Sequence, residues 1–302
     1  AKFAGKPMED LCQTAKTLTG AAAGLVLGDI CWDSLDLLEK YKKEIVRTGI
    51  PFYPVVGNHD HELEASGDIN TTARYRQIMG PENYAFFMGK DVVIVVDNII
   101  YDTQKKYVEG YADHVLAWVK SLERLLPYGA DLYIAQHSPL MKWDEGNARI
   151  VNSTDMLDIV RGRKVTFISG HTHINNNLNY SNNITEHNVA AICGSWWDTD
   201  HCTDGTPSGY KVFTKKDGKL SWYYKVLGHD KNHQVELYRP GQTSYHPNGI
   251  VVNVWDWDPS WNVEWFEDGR PMGSLKPVSE FSPLYVHEIN EAFAGKAVPS
   301  YK

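Results

Sequence analysis

Four cysteines in 302 residues are too few to staple a chain of this length, and their spacing lacks the pairs of a zinc site. Only Cys193 and Cys202 lie near each other, and the sequence leaves their pairing and the redox compartment open. No apolar run reaches the length of a membrane span. No charged and then apolar leader opens the chain, so any such segment has been removed or lies outside it. Positive charge is not in excess: 30 Lys and Arg against 38 Asp and Glu give a net charge of −8. A protein that grips nucleic acid by its backbone is normally basic, so no nucleic-acid partner is expected. Internal repeats and low-complexity segments are missing too.

What remains is ordinary for a globular protein: 42% hydrophobic and 23% charged. The chain is long enough to bury a core without disulfides. Four N-x-S/T sequons, at Asn70, Asn152, Asn179 and Asn183, matter only in a secreted eukaryotic protein.

Up to about residue 227, apolar runs alternate with helical periodicity. Residues 7–18 read as a helix with Met8, Leu11, Cys12 and Ala15 on one face. Residues 34–49 read as a second, capped by Ser34 and stopped at Gly49, and 113–127 as a third. Strands are expected at 24–29, 50–60, 92–98, 131–139, 165–173 and 189–197. Such alternation implies an α/β domain over 1–227. From 228 to 302 the helical pattern fades, and "NVWDWDPSWNVEWFEDG" (253–269) alternates like a hairpin with turn residues at Asp258-Pro259-Ser260 and Asp268-Gly269. This stretch reads as a small β domain, incomplete as it stands.

Polar groups able to bind a metal recur at the ends of the expected strands. "LVLGD" ends on Asp29, "YPVVGNHD" on Asn58 and His59, "LYIAQHSP" on His137, and "TFISGHTH" on His171 and His173. In α/β sheets ligands collect beyond the carboxyl ends of strands, so these ends point to one crevice. Oxygen and imidazole donors without thiolates suit Mn, Fe(II), Zn or Co. Taken singly, each residue is more often a turn, core or surface group; their shared position is what turns alone do not explain.

"GDICWD", "GNHDHE", "QHSP" and "GHTH", in this order, resemble the calcineurin-like metallophosphoesterases over residues 1–226, and the tail resembles a C-terminal domain of certain bacterial members. The resemblance implies a β-sandwich flanked by helices, two divalent cations (Mn, Fe or Zn), and a small phosphate-ester substrate, monoester or diester. It assigns Asp29 as the bridge between the metals, Asn58, His137 and His171 to the second metal, and His173 to the first. His59 would protonate the leaving oxygen, and Asp60 would orient His59 or simply shape the turn.

Two departures matter. No Asp-x-His strand precedes Gly28, so the first metal would keep only Asp29 and His173. The chain is therefore expected to start after that strand, with impaired activity. Second, Trp32 stands where the purple acid phosphatase branch has a tyrosine ligand, and an indole cannot serve as an anionic oxygen donor. Ser195, Trp196 and Trp197 are candidate substrate contacts, weighed against plain packing. The rival reading is an inactive phosphoesterase fold that binds a surface or glycan through its Trp-rich β domain. The attached β domain and the density of Trp, Tyr and Asn suggest an extracytoplasmic bacterial protein.

Overall fold

The structure is a computed structural model that describes residues 2–20, 22–103, 105–141 and 149–300. It divides into two compact units. The first holds residues 1–172 and 178–189, the second 173–177 and 190–302.

In chain order the first unit opens with α1 (Lys6–Thr17), β1 (Gly24–Val26), α2 (Asp36–Ile45) and β2 (Phe52–Pro54). Then come α3 (Asp68–Thr71), α4 (Ala73–Met79), β3 (Tyr84–Met88), β4 (Asp91–Val95), β5 (Ile99–Thr103) and β6 (Lys106–Glu109). It continues with α5 (Asp113–Glu123), β7 (Leu132–Ala135), α6 (Ser153–Val160), β8 (Val165–Ser169), β9 (Asn176–Ser181) and β10 (Ile184–Asn188). A mixed six-stranded sheet runs β3-β4-β7-β8-β10-β9, and β1 and β2 form a parallel pair. Strands β4, β7, β8 and β10 are parallel to their neighbours in that order.

Alternation along β4 explains the layers. Val92 and Ile94 face a core shared with Val115 and Val119 of α5 and Met156 and Val160 of α6. Val93 and Val95 face the other way, toward Val55, Leu25 and Leu27 around the β1–β2 pair. Beyond that pair, Leu38 of α2 packs with Val56 and with Tyr75 and Ile78 of α4. All of β4 and β8 is buried, as the continuously apolar run 92–96 predicts for the central strand β4.

The second unit holds β11 (Gly209–Lys216), β12 (Lys219–Val226), β13 (Val235–Tyr238), β14 (Val251–Val254), β15 (Glu264–Glu267), β16 (Arg270–Ser274) and α7 (Pro283–Ala292). Its core gathers Ala190, Cys202, Tyr224, Val226 and the buried Trp255. Lys211 and Asp256 form a buried ion pair at 2.6 Å, and Asn177 bonds both. All four cysteines are free thiols.

Several expectations are corrected. Residues 192–198 are turns, not strand, because Gly194, Trp196 and Trp197 take positive φ values of 59°, 53° and 65° that no strand accommodates. Strand β10 lies just before, in a polar sequence whose side chains are satisfied internally. The hairpin expected across Asp258-Pro259-Ser260 does not form: β14 pairs with β13, and β15 pairs with β16 across Asp268-Gly269. Asp256, with φ of 62° and its carboxylate held by Lys211, ends the alternation. Ser34 does not cap α2, whose first turn has no side-chain cap. Helix α7 is a ten-residue helix within the stretch read as β, and Ser282 caps it through the Tyr285 N–H.

Candidate metal centre

The parallel strands deliver their polar groups to one end. Asp29 follows β1, Asn58 follows β2, Asn98 follows β4, His137 follows β7 and His171 follows β8. Close approach of the β1 and β2 ends requires glycine. A Cβ on Gly57 would stand 2.2 Å from the Asp29 nitrogen and 2.4 Å from its Oδ1. Asp29 and His171 have φ values of 52° and 67°, a conformation that costs energy and concentrates at functional sites.

Asp29, His137 and His171 each present a ligand atom within 4.8 Å of the others. The Nδ1 of His137 lies 2.6 Å from the Leu27 carbonyl oxygen. A carbonyl only accepts, so Nδ1 carries the proton of the neutral ring and Nε2 keeps a lone pair. That Nε2 faces Asn58 Oδ1 at 3.1 Å, Asp29 Oδ1 at 3.3 Å and His171 Nδ1 at 2.9 Å. His171 in turn sets its Nε2 3.4 Å from the Glu109 carboxylate, which favours the proton there and the lone pair on Nδ1. Four electron-rich atoms thus converge on one point. A divalent cation with ligand bonds of about 2.0–2.2 Å relieves that repulsion, so the donors fit a metal.

Burial and mutual charge set the electrostatics of this group, and a proton on His137 Nε2 competes there with a cation. Burial opposes ionisation of Asp29, but His137 and the His59 N–H, which donates to Oδ1 at 3.0 Å, hold its pKa well below the carboxylate range. Burial also resists a charge on His137, which Asp29 overcomes, raising its pKa. Burial lowers the pKa of His171.

His59 stands beside this group. Its Nδ1 lies 2.9 Å from Asp33 Oδ1, and the indole of Trp32 stacks on its ring with centroids 4.2 Å apart and planes at 18°. The expected bond from Asp60 to His59 is absent. Asp60 is fully buried and accepts backbone N–H bonds from Ile30, Cys31 and Gly57 at 3.2, 3.1 and 3.0 Å, so it ties the Asp29 loop to the Asn58 loop. Burial, with the charge of Asp29 added, pushes its pKa up to about 6.

Three further residues escaped the sequence reading. Asn98 accepts from the His137 and Ser138 N–H groups at 3.2 and 3.1 Å and donates to the Ser138 carbonyl at 2.7 Å. Glu109 and Arg149 form an ion pair that also engages Ser138. Burial works against the Glu109 charge, yet His171, Ser138 and Arg149 lower its pKa to about 2. Only Asn98 had a signal in sequence, as the polar residue closing an apolar run.

The remaining candidates lie in the second unit. His173 is buried with its ring 4.5 Å from that of Trp196. Ser195 has no exposed surface, and its N–H donates to the His201 carbonyl. Trp197 is exposed.

A mixed α/β sheet with this donor set at its strand ends defines an α/β fold with a candidate metal centre. Residues 9–175 match the calcineurin-like phosphoesterase family and 186–301 the C-terminal domain of calcineurin-like phosphoesterases. The chain belongs to the calcineurin-like phosphoesterase family, whose members use divalent metal ions. Among solved structures it is similar to a dimetal phosphatase from Danio rerio, with 14% identity, TM-score 0.54, and coverage of 73% of this chain and 86% of that one. It is also similar to the purple acid phosphatase PPD1 from yellow lupin seeds, with 12% identity, TM-score 0.54, and coverage of 74% and 46%. At these identities the likeness is one of fold. No curated protein matches by sequence. Among the described residues, no helix is long and apolar enough to cross a membrane.

Proposed function

We propose that this chain hydrolyses phosphoric esters, holding a divalent cation with Asp29, Asn58, His137 and His171 and delivering a proton to the leaving oxygen from His59. The observation that carries the reading is the convergence on His137 Nε2 of three other electron-rich atoms at 2.9–3.3 Å.

Divalent cations, when bound, supply Lewis-acid charge against the phosphoryl oxygens and a water acidic enough to act as nucleophile near neutral pH. The chain's own groups do the rest. Asp29 contributes a carboxylate kept ionised by its neighbours. The Leu27 carbonyl fixes the His137 ring so that Nε2 faces Asp29, Asn58 and His171, where it would hold a cation. Glu109 does the same for His171 through Nε2.

The Nδ1–H of His59 donates to Asp33, so the proton on Nε2 is the one free to move. As the P–O bond breaks, that proton passes to the leaving oxygen, and His59 becomes a neutral ring still bonded to Asp33. General acid catalysis of this kind contributes on the order of 10²–10⁴ in rate.

The test combines binding and turnover. Calorimetry with Mn²⁺ should show a site in the wild type that His137→Ala abolishes. Hydrolysis of p-nitrophenyl phosphate and bis-p-nitrophenyl phosphate should depend on Mn²⁺, and hydrolysis of ethyl phosphate, whose leaving oxygen needs a proton, should fall in His59→Ala, while that variant still binds the metal. Equal rates of wild type and His59→Ala on ethyl phosphate would remove the assigned proton donor.

A further inference from the structure

Trp32 is an anomaly until its surroundings are considered. It is a large aromatic side chain with 59% of its surface exposed, which in itself is unremarkable. Its placement is not. The loop that carries it is fastened on both sides. Ile30 and Cys31 donate their N–H groups to Asp60 at 3.2 and 3.1 Å, and Asp33 donates its N–H to the His59 carbonyl at 3.2 Å. Asp33 then bonds the His59 ring at 2.9 Å. An exposed indole is therefore held in one position against the proton donor, with little ordering left to be lost when a ligand arrives.

The imidazole and indole planes differ by 18°, with centroids 4.2 Å apart. Nδ1 of His59 is committed to Asp33, so the leaving oxygen approaches Nε2, along an N–H direction in the ring plane. The oxygen then lies in a plane roughly parallel to the indole, and a flat group that extends from it along that plane is parallel to the indole as well. A flat ring in that place meets an aromatic face at stacking distance; a flexible alkyl chain gains much less.

We propose that Trp32 is a specificity-determining platform that selects phosphoesters whose leaving group contains a planar aromatic ring. This rests on the phosphoesterase reading above, with His59 as the proton donor. Two substrate types share the chemistry. In an aryl ester the ring sits directly on the leaving oxygen; in a nucleotide the base lies beyond the sugar.

The experiment measures kcat/KM with Mn²⁺ for phenyl phosphate against ethyl phosphate, and for adenosine 5′-phosphate against ribose 5-phosphate. Wild type, Trp32→Ala and Trp32→Phe are compared, so intrinsic differences in leaving-group reactivity cancel. Base–aromatic stacking implies that Trp32→Ala lowers at least one ring-to-ringless ratio about tenfold, chiefly through KM, and that Trp32→Phe retains most of it. The pair that responds tells an aryl ester from a nucleotide. If both ratios are the same in wild type and Trp32→Ala, the platform is wrong.

A binding arm separates this outcome from failure of the reading beneath it. Calorimetry compares phenylphosphonate with ethylphosphonate on the Mn²⁺-loaded protein. If the wild type turns over no ester, the hydrolase reading fails, while a preference for phenylphosphonate that Trp32→Ala removes still upholds the platform. Equal affinity for the two phosphonates, or binding of neither, overturns it. An unchanged melting temperature, expected for so exposed a side chain, verifies that the variants fold.

Discussion

His59 and Asp33 form a pair whose geometry makes a distinguishable demand. The Asp33 carboxylate orients the ring through Nδ1, and with 36% of its side chain exposed it is not needed to fill the core. Asp33→Asn keeps the shape and removes the charge. It should lower kcat roughly tenfold or more for an alkyl phosphate, which needs its leaving oxygen protonated. For p-nitrophenyl phosphate the loss should be much smaller, because that leaving group departs without help. Rates of the variant on both esters check this. A uniform loss would mean that Asp33 only braces the loop. Asp60 behaves differently: it is fully buried and serves three backbone N–H groups, so its substitution acts on folding.

At the scale of elements, strand ends are positioned by side chains borrowed from neighbouring strands. Asn98, just past β4, replaces a stretch of ladder by bonding both N–H groups and one carbonyl at the end of β7. It has no exposed surface. Asn98→Ala leaves the buried His137 and Ser138 N–H groups without partners, each worth about 1–3 kcal/mol, while the Ser138 carbonyl keeps Gln136. The variant should melt lower and bind Mn²⁺ more weakly than the wild type, although Asn98 is not itself a ligand. Calorimetry and thermal unfolding read the two effects separately. The end of β8 is tied similarly by Asn188, which donates to the Gly170 carbonyl at 2.6 Å and fixes the approach to His171.

For the molecule as a whole, buried acids set the response to pH and metal. Glu186 has no exposed surface and accepts from the Leu140 N–H and the Ser169 and Tyr180 hydroxyls, yet burial outweighs these bonds and pushes its pKa up to about 7. The unfolded group ionises near 4.5, so folding takes up a proton between these values. The stability it contributes is fully present below pH 4.5 and drains as pH rises through 7. The whole effect is of the order of 3 kcal/mol. Glu186→Gln should flatten that slope in urea titrations at pH 5 and pH 8. Metal acts in the other direction on the first unit. A cation at 100 times its Kd stabilises by about 2.7 kcal/mol, so Mn²⁺ should raise its melting temperature and EDTA should reverse the rise. His171→Ala should lose that response.

Local sequence marked where β1, β2 and β8 hand over to polar residues. An apolar run, a glycine and then Asp29, Asn58 or His171 is a local pattern, and local patterns survive any packing. The central strand β4 was legible as well, since burial on both faces leaves no polar alternation over 92–96. The family motifs carried the donor set further than periodicity did. Tertiary structure alone decided which groups meet. Asp33 rather than Asp60 reached His59 because Asp60 turned inward to the backbone of another loop. Glu109, in the β5–β6 pair, meets His171, and Arg149, in the loop before α6, meets Glu109 only in the folded chain. The polar β10 and helix α7 were hidden, one because buried partners satisfy its side chains and the other because its neighbours read as strand. Backbone preference is written residue by residue, whereas partners scores of residues apart are fixed only when the layers close on them.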